Sequence, residues 1–591
     1  MNRYIPLSML ALVACGGGGE RIVDPPVKRS DISSLQPGEY RVLTPSDIPD
    51  GIDLPSVPDA RGFIIVVGNT STIGDVVASY VVRGNLGVAP SMQPVQGFAQ
   101  SPQRGGLSPQ LVSAISALER AEAPQRRLEK RIRGFERKAL SFRGITRAPG
   151  GSQSSPLRSA MQVTAAAAPG DTINVKVPDA NGPTNNLCQD FFSTRAVVAS
   201  VSAKAILAVD TIDGPPSGLF TQADFDAIAA EFDNTTYPAD EAYFGTPTDV
   251  DANGRVIILF TGRVNELTPP ASPEGSGFVG GFFFAGDFFP PTGPVNQSCA
   301  QSNQAEIFYL LAPDPLGLKY GNVRTVASVR QGTRGTIAHE LEHMINAGRR
   351  YTGGVARDFE VSWLDEGLAH MGEEVVGRRL KNFGDLQSLS IGDIFPDEAG
   401  RNDFNAFFFQ NLARFKFWMQ APDTSSGISD RAAENLSSRG AAWALVRYAA
   451  DNFSGSNPPA FTRRLVAGPD TGLTNFIRAT AAPLDTVLAG WLVANYADDF
   501  GVPITNARTQ YRSFNMRSVM PPVSQNVYPL KVQPVGSGAA ELSGTNRTGS
   551  GTYYALSVAA NAGAKNVKVL NQGGSGVVSY PGAHVYVLRI R

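Results

Sequence analysis

The chain contains, near its middle, the stretch Thr336-Ile-Ala-His-Glu-Leu-Glu-His-Met-Ile345. His339 and His343 are four residues apart, so on a helix they share one face and lie about 6 Å apart along its axis. That face can present two imidazoles to one metal ion, and Glu340 beside them can reach a water on the metal. The apolar residues between them predict a buried helix. Because the chain has only 4 histidines, this spacing indicates a metal site rather than coincidence.

A second stretch, Val361-Ser-Trp-Leu-Asp-Glu-Gly-Leu-Ala-His-Met-Gly-Glu-Glu374, supplies candidates for a third ligand. Glu366, His370 and Glu373 are spaced i, i+4 and i+7, so they share a face of a second helix. Catalytic zinc sites use three protein ligands and keep one position open. On spacing alone, Glu366 and His370 are rival third ligands, and the one that does not bind the metal lies close behind it.

These two stretches resemble the gluzincin metallopeptidases, whose third ligand is a glutamate on the helix after His-Glu-x-x-His. The run Trp363-Leu-Asp-Glu-Gly-Leu-Ala369 is similar to the Trp-Leu-Asn-Glu-Gly-Phe-Ala signature of aminopeptidase N relatives. The wider pattern adds the segment Asp249–Phe260 and the strand around Glu306, and it looks most like the hyicolysin-type bacterial neutral metallopeptidases. The resemblance is densest between residues 336 and 377.

The resemblance implies zinc-dependent hydrolysis of peptide bonds in a polypeptide substrate. It implies one catalytic Zn²⁺ held by His339, His343 and Glu366, with Glu340 as the general base that activates a zinc-bound water. It also implies that Glu373 orients a ligating imidazole from behind. The expected fold class is α+β, with a gluzincin-like catalytic unit that combines a mixed sheet, zinc-binding helices and a helical C-terminal subdomain.

The kind of peptidase is less sharply defined. The Gly-Ala-Met-Glu-Asn signature, with which aminopeptidase N relatives bind the free amine of a substrate, is absent, and this favours an endopeptidase. Two alternatives stay open: an aminopeptidase, and a catalytically silent zinc-binding lipoprotein used for adhesion or assembly. An oxyanion donor is not identified; Tyr448 is a candidate, although its apolar surroundings in the sequence fit a core tyrosine better.

The N-terminus carries a positive start, Met1-Asn-Arg3, then an apolar run that ends in Leu12-Val-Ala-Cys15. This resembles a bacterial lipoprotein signal, in which cleavage precedes Cys15 and a lipid is attached to its thiol. The expected location is therefore the bacterial cell envelope, with membrane contact only through this anchor. Gly16 at the next position favours the outer membrane or the cell surface over the inner membrane. An ordinary secretory signal is the alternative.

Two smaller groups of residues suggest a disulfide bond and either a turn or a calcium loop. The remaining cysteines, Cys188 and Cys299, are candidates for a disulfide bond in an oxidising compartment, and the alternative is two buried thiols. Asp249, Asp251 and Asn253 match the first half of a calcium loop. However, the twelfth position is phenylalanine where a bidentate glutamate belongs, so a turn closed by Asx hydrogen bonds is favoured over a Ca²⁺ site.

Composition limits the remaining possibilities. The 591 residues are 42% hydrophobic and 18% charged, which is typical of a globular chain with a large core. A net charge of −1 excludes a global field that attracts nucleic acid, so no nucleic-acid partner is expected. The helical pattern from 111 to 139 is interrupted by Pro124, which is expected to break the helix. Its basic second half, from Arg126 to Lys138, predicts a solvated face.

The sequence divides into seven segments. These predicted segments are a signal peptide (1–14), a lipidated tether (15–34), a small β domain (35–87), a basic and Pro-rich linker with a helix (88–170), the β-rich half of the catalytic domain (171–335), its helical half (336–523) and a second small β domain (524–591). The Arg- and Pro-rich stretch from 120 to 150 further suggests that residues 16 to about 170 include a pro-segment or tether.

Overall fold

The computed structural model describes most of the chain from Arg29 onward. The predicted signal peptide, the lipidation site Cys15 and the tether before residue 29 lie outside the described residues, so these remain predictions. The described ranges are 29–73, 76–85, 109–139, 167–184, 186–211, 220–270, 279–294, 296–353, 355–356, 358–430, 435–502, 506–535 and 541–591.

The chain is an α+β protein, as the sequence predicts. The strands are β1 (Tyr40–Leu43), β2 (Ile52–Leu54), β3 (Arg61–Asn69), β4 (Val77–Asn85), β5 (Thr172–Pro178), β6 (Phe191–Val201), β7 (Ala205–Asp210), β8 (Val256–Thr261), β9 (Gly281–Phe283), β10 (Ile307–Leu311), β11 (Val532–Pro534), β12 (Glu541–Arg547), β13 (Ser550–Val558), β14 (Lys565–Asn571) and β15 (Ala583–Arg589). The α-helices are α1 (Pro109–Lys138), α2 (Gln222–Glu231), α3 (Tyr237–Phe244), α4 (Gly262–Asn265), α5 (Val326–Thr352), α6 (Ser362–Leu380), α7 (Ile391–Ile394), α8 (Arg401–Phe407), α9 (Phe409–Gln420), α10 (Leu436–Phe453), α11 (Pro458–Val466), α12 (Gly472–Thr480), α13 (Leu484–Ala497) and α14 (Met516–Val519).

A six-stranded mixed sheet packs against helix α5 through its strands β9 and β10. Its strand order is β5-β6-β7-β8-β10-β9, and β7, β8 and β10 run parallel to one another. The three parallel strands are buried along their whole length, which explains their continuous apolar sequences. The short strand β9 pairs antiparallel with β10 and is the outer strand on that side.

Helix α5 contains the stretch 336–345, and α6 contains residues 362–374. Thr325 caps α5 by accepting a hydrogen bond from the Ser328 N–H. Helix α5 packs on α6, and α6 in turn packs on α10. Gly367 permits the second contact, because a Cβ atom there would lie 2.9 Å from Val446 Cγ2 and 3.0 Å from the Ala442 carbonyl oxygen. The glycine therefore brings α6, and its neighbour Glu366, close to α10.

Strands from the two ends of the chain form one β-sandwich, which differs from the two separate small β domains that the sequence analysis expects. One sheet has the order β1-β15-β3-β13-β11, and the other has the order β12-β4-β14-β2. In the first sheet, β3 lies between β13 and β15, so Gly68 is opposite both Gly551 and His584. Alternation of residues along a strand predicts the strand but not its partner, and this is why the sequence does not reveal the pairing.

Both faces of the five-stranded sheet are buried. Residues such as Ile65 and Val587 point into the core that it shares with the four-stranded sheet. Residues such as Val66 and Tyr586 point to the opposite side, into the main core that the six-stranded sheet and the helices share. The hydroxyl of Tyr553 donates a hydrogen bond of 2.7 Å to the Leu492 carbonyl in α13. The sandwich is therefore packed directly on the helical region.

Helix α1 departs from the sequence-based expectations in two ways. Pro124 lies inside the helix and does not end it, because α1 continues to Lys138. The basic second half is not simply a solvated face, since the Arg133 side chain is buried. Packing of the helix on the rest of the protein outweighs the roughly 3 kcal/mol that an internal proline costs. The segment expected to be a linker therefore contains a packed helix.

The structure joins Cys188 and Cys299 in a disulfide bond, with their Cα atoms 4.9 Å apart. Within the described ranges, no single helix is long and apolar enough to cross a membrane. Helices α12 and α13 meet that criterion only as a pair, and they are bent by 81° at their junction.

Candidate metal centre

Three side chains from α5 and α6 converge in the main core. His339 Nε2 lies 3.1 Å from His343 Nε2 and 3.6 Å from Glu366 Oε2. All three residues are buried, and one ligand atom from each lies within 4.8 Å of the others. Two turns of α5 and the first turn of α6 therefore present two nitrogens and one oxygen to a single point, as the spacing of the sequence predicts.

The carboxylate of Glu366 provides a test of whether this group suits a metal ion. Its side chain is 0% exposed, and neither oxygen has a hydrogen-bond partner among the described residues. Burial raises the pKa of Glu366, but the charges of Arg439 and the two histidines outweigh burial and hold the pKa below its ordinary value. Arg439 and Arg133 lie 3.6 Å and 3.9 Å from the two oxygens without hydrogen-bonding to them. Both oxygens therefore remain available to a metal ion, and a buried polar group of this kind needs such a partner.

The outer nitrogens of both imidazoles face carboxylates. His339 Nδ1 lies 2.9 Å from Glu373 Oε1, and His343 Nδ1 lies 3.0 Å from Asp365 Oδ2. A carboxylate at Nδ1 favours the tautomer that carries its proton there. Both Nε2 atoms then direct lone pairs at the same point, which is the arrangement that a metal ion requires.

Glu340 lies on the same helix and reaches the edge of the six-stranded sheet. Its Oε2 accepts a hydrogen bond of 2.9 Å from the Phe283 N–H in β9. Burial raises the pKa of Glu340, although the neighbouring histidines lower it in part. A carboxylate with a raised pKa accepts a proton more readily, and this suits a general base.

His370, the rival third ligand, has both ring nitrogens engaged. Its Nδ1 lies 2.9 Å from Glu373 Oε1, and Arg414 Nη1 lies 3.1 Å from its Nε2. Burial lowers the pKa of His370 to about 3, so the ring is neutral. His339, His370 and Glu373 also form a compact group, but the oxygens of Glu366 have no hydrogen-bond partner among the described residues, which makes the other group the better metal site.

The acidic turn before β8 is closed by Asx hydrogen bonds. The Gly254 N–H donates to Asp249 Oδ1 at 3.0 Å, and the Asn253 N–H donates to Asp251 Oδ1 at 3.2 Å. Asp249 and Asp251 also approach the buried Glu306 closely enough to form a group that could hold a cation. The turn geometry agrees with the favoured alternative, and Ca²⁺ binding here remains a prediction.

Tyr448 is a core residue and not an oxyanion donor. It is fully buried, and its hydroxyl donates a hydrogen bond of 2.5 Å to the Arg508 carbonyl. Sequence reasoning also missed three residues that touch the site, of which Arg133 lies 3.4 Å from the ring nitrogens of His343. Asp365 directly precedes Glu366 in the stretch 363–369, and this position could have marked it as a neighbour of the metal ligands. Arg439 lies 3.6 Å from Glu366 Oε2, and no local pattern in the sequence predicts this contact.

Comparisons with known proteins point in the same direction. No protein-family model matches the chain. The chain is similar to the neutral metalloprotease ShpI of Staphylococcus hyicus, with 29% identity over 170 residues, which are 28% of this chain and 35% of that protein. The chain therefore matches about a third of the length of this relative. Together with the group of His339, His343 and Glu366, this similarity supports a metal-dependent hydrolase.

Proposed function

We propose that the chain is a zinc-dependent peptidase in which His339, His343 and Glu366 hold the ion and Glu340 is the general base. The observation that carries this proposal is the buried carboxylate of Glu366, whose oxygens have no hydrogen-bond partner among the described residues and lie beside two Nε2 atoms. The donor set of two imidazoles and one carboxylate is one that catalytic zinc uses.

The chemistry divides between the ion and the side chains. A bound zinc ion supplies Lewis acidity, which polarises a peptide carbonyl and lowers the pKa of water. Glu340, oriented by the Phe283 N–H, takes the proton of the attacking water and delivers it to the leaving amine nitrogen. Glu373 and Asp365 hold the two imidazoles in the orientation that directs their Nε2 atoms to the ion.

Two features favour an endopeptidase. Strand β9 is the outer strand of its sheet, and an extended peptide can add to such an edge through its backbone, with chain continuing on both sides. Glu340 contacts β9 at Phe283, so a peptide held there would pass the general base. The missing amine-binding signature also argues against an aminopeptidase, which remains the alternative together with a silent zinc-binding protein.

We further propose that the protein is a lipid-anchored component of the bacterial cell envelope. The lipoprotein-like sequence around Cys15 supports this location. The disulfide bond between Cys188 and Cys299 is typical of proteins that fold outside the reducing cytosol. Labelling with a radioactive fatty acid tests the anchor: label is expected in the wild-type protein and not in Cys15→Ala.

The peptidase is tested with residues 16–591 and unfolded casein. Glu340→Gln is expected to lower kcat/KM by about 10²- to 10⁴-fold while zinc stays bound at one ion per chain, because the general base is lost and the ligands are not. The matched control is Glu398→Gln, at an exposed position far in sequence from the site, and its activity is expected to equal that of the wild type. A chelator is expected to abolish cleavage, and zinc to restore it.

Mass spectrometry of the products separates the alternatives. Cuts within the casein chains support the endopeptidase, and stepwise loss of N-terminal residues means that the protein is an aminopeptidase. One zinc ion per chain without cleavage, in the wild type and in variants that open the site, would reject the peptidase and favour the silent protein.

A further inference from the structure

We infer that helix α1 is an intramolecular inhibitor that occupies the substrate cleft beside the metal centre. This inference rests on the proposed peptidase function and names how the same site is controlled. The described side chains of α1, from Glu122 onward, contact the metal-binding helices, the edge strand β9 and two arginines of the helical region. These contacts are spread along α1 from Glu122 to Glu136.

The most direct contact involves Arg133. Its Nη2 lies 3.4 Å from both ring nitrogens of His343 and 3.9 Å from Glu366 Oε1. Its Nη1 lies 2.5 Å from Asp365 Oδ2 and 2.6 Å from Glu136 Oε2 in the next turn of α1. The guanidinium therefore lies against two candidate zinc ligands, in the space through which a peptide carbonyl must approach the ion.

Acidic residues of α1 pair with cationic residues of the cleft. Glu129 forms a buried ion pair with Arg439, whose other nitrogen lies beside Glu366. Two helical turns earlier on that side, Glu122 lies 3.3 Å from Arg414. Buried arginines need anionic partners, so α1 supplies charges that complement this particular cleft.

Helix α1 also occupies the edge where an extended substrate would pair. The Gln125 side-chain amide donates a hydrogen bond of 3.2 Å to the Gly281 carbonyl in β9. Gly281 is two residues from Phe283, whose N–H bonds to the general base Glu340. A peptide that adds to β9 needs backbone groups of this strand, so α1 and substrate compete for the same edge.

Apolar contacts fix the helix in this position. Leu128 and Ile132 are buried in the main core. The Phe135 ring packs on Phe284 and Phe289, with ring centroids 4.9 Å and 5.5 Å apart. Helix α1 is therefore packed against the core and does not merely touch the surface of the protein.

The topology determines how α1 can leave. The strands before it, β1 to β4, are built into the sandwich with β11 to β15. Loss of the whole N-terminal segment up to residue 170 would take those strands with it. Inhibition is therefore relieved by displacement of α1, or by cleavage of the chain on both sides of α1, which leaves β1 to β4 in place.

The experiment measures access to the metal and activity separately, on zinc-loaded protein of residues 16–591. The variant Glu122→Ala/Glu129→Ala/Arg133→Ala removes the ion pairs of α1 with Arg414, Arg439 and the metal centre. The matched control is Arg127→Ala, an exposed position on the same helix. Calorimetry measures binding of a peptidyl hydroxamate, a probe that needs access to the ion. We expect at least tenfold tighter binding and at least a tenfold higher kcat/KM for the triple variant, with the control equal to the wild type.

A second comparison does not depend on substitutions in α1. Recognition sequences for a specific protease are inserted after Gln100 and after Gly150, and the same sample is measured before and after cutting. We expect cutting to raise hydroxamate affinity at least tenfold, and a synthetic peptide of residues 119–139 to reverse the gain. This comparison decides the question if the triple variant fails to fold.

The outcomes separate the two proposals. Equal hydroxamate affinity before and after cutting, or in wild type and the folded triple variant, would overturn the inhibitory role of α1. Tighter hydroxamate binding without any peptide cleavage supports the inhibitory helix and rejects the peptidase. Failure of every protein to bind zinc rejects both.

Discussion

Asp365 shows how one side chain can prepare a metal site without binding the metal. It lies in the first turn of α6 and directly precedes Glu366, so one residue orients a ligand of the proposed metal centre and the next is itself a ligand. Its Oδ2 lies 3.0 Å from His343 Nδ1, while its Oδ1 accepts a bond of 3.3 Å from the Asn346 amide. The carboxylate is thus fixed by α5 and in turn fixes the tautomer of His343.

We predict that Asp365→Asn weakens zinc binding by about 10- to 100-fold, because the amide no longer holds the Nδ1 proton with a charge. Competition with a chromogenic chelator measures this affinity. The control is Asp50→Asn, an exposed position in the N-terminal segment, where no change is expected. Unchanged zinc affinity in Asp365→Asn would mean that the carboxylate serves only the ion pair with Arg133.

At the scale of elements, the approach of α6 to α10 depends on the absence of a side chain at Gly367. We predict that Gly367→Ala destabilises the protein by about 1–3 kcal/mol, because its Cβ would lie 2.9 Å from Val446 Cγ2. Thermal unfolding measures the effect. The control is Gly134→Ala in α1, where a Cβ would meet nothing within 4 Å and where alanine favours the helix by up to about 1 kcal/mol. Similar melting temperatures for both variants would contradict this account.

Elements with a strong period could be predicted from the sequence. The Thr221 side chain caps α2 by accepting a hydrogen bond from the Asp224 N–H, and the apolar runs that begin at Ala205 and Ile307 form buried strands. The candidate metal ligands could be predicted from the spacing of residues on one helix and on the helix that follows it. Arg133 and Arg439 could not be predicted as parts of the site, because they reach it from α1 and α10. The path of α1 depends on tertiary packing, which also overrides the local preference of Pro124 to end a helix.

At the scale of the whole molecule, the β-sandwich makes the two ends of the chain one unit. We predict that a chain of residues 171–591 loses solubility, because removal of β3 exposes the edges of β13 and β15 and the apolar core between the sheets. Size-exclusion chromatography and circular dichroism measure this. Co-expression of residues 29–85 as a separate polypeptide is expected to restore a soluble complex. A monomeric, cooperatively unfolding chain of residues 171–591 would contradict this prediction.

The same pairing has a consequence for the order of events during biosynthesis. The Thr70 hydroxyl bonds to His584, a residue 514 positions further along the chain. Strand β3 is synthesised early, and its neighbours β13 and β15 are synthesised near the end. Both edges of β3 therefore stay unpaired while hundreds of residues are added. Contacts between such distant residues form slowly. Closing of the sandwich is therefore expected to limit the rate of maturation, and a holdase that covers β3 in the meantime is expected to raise the yield of native protein.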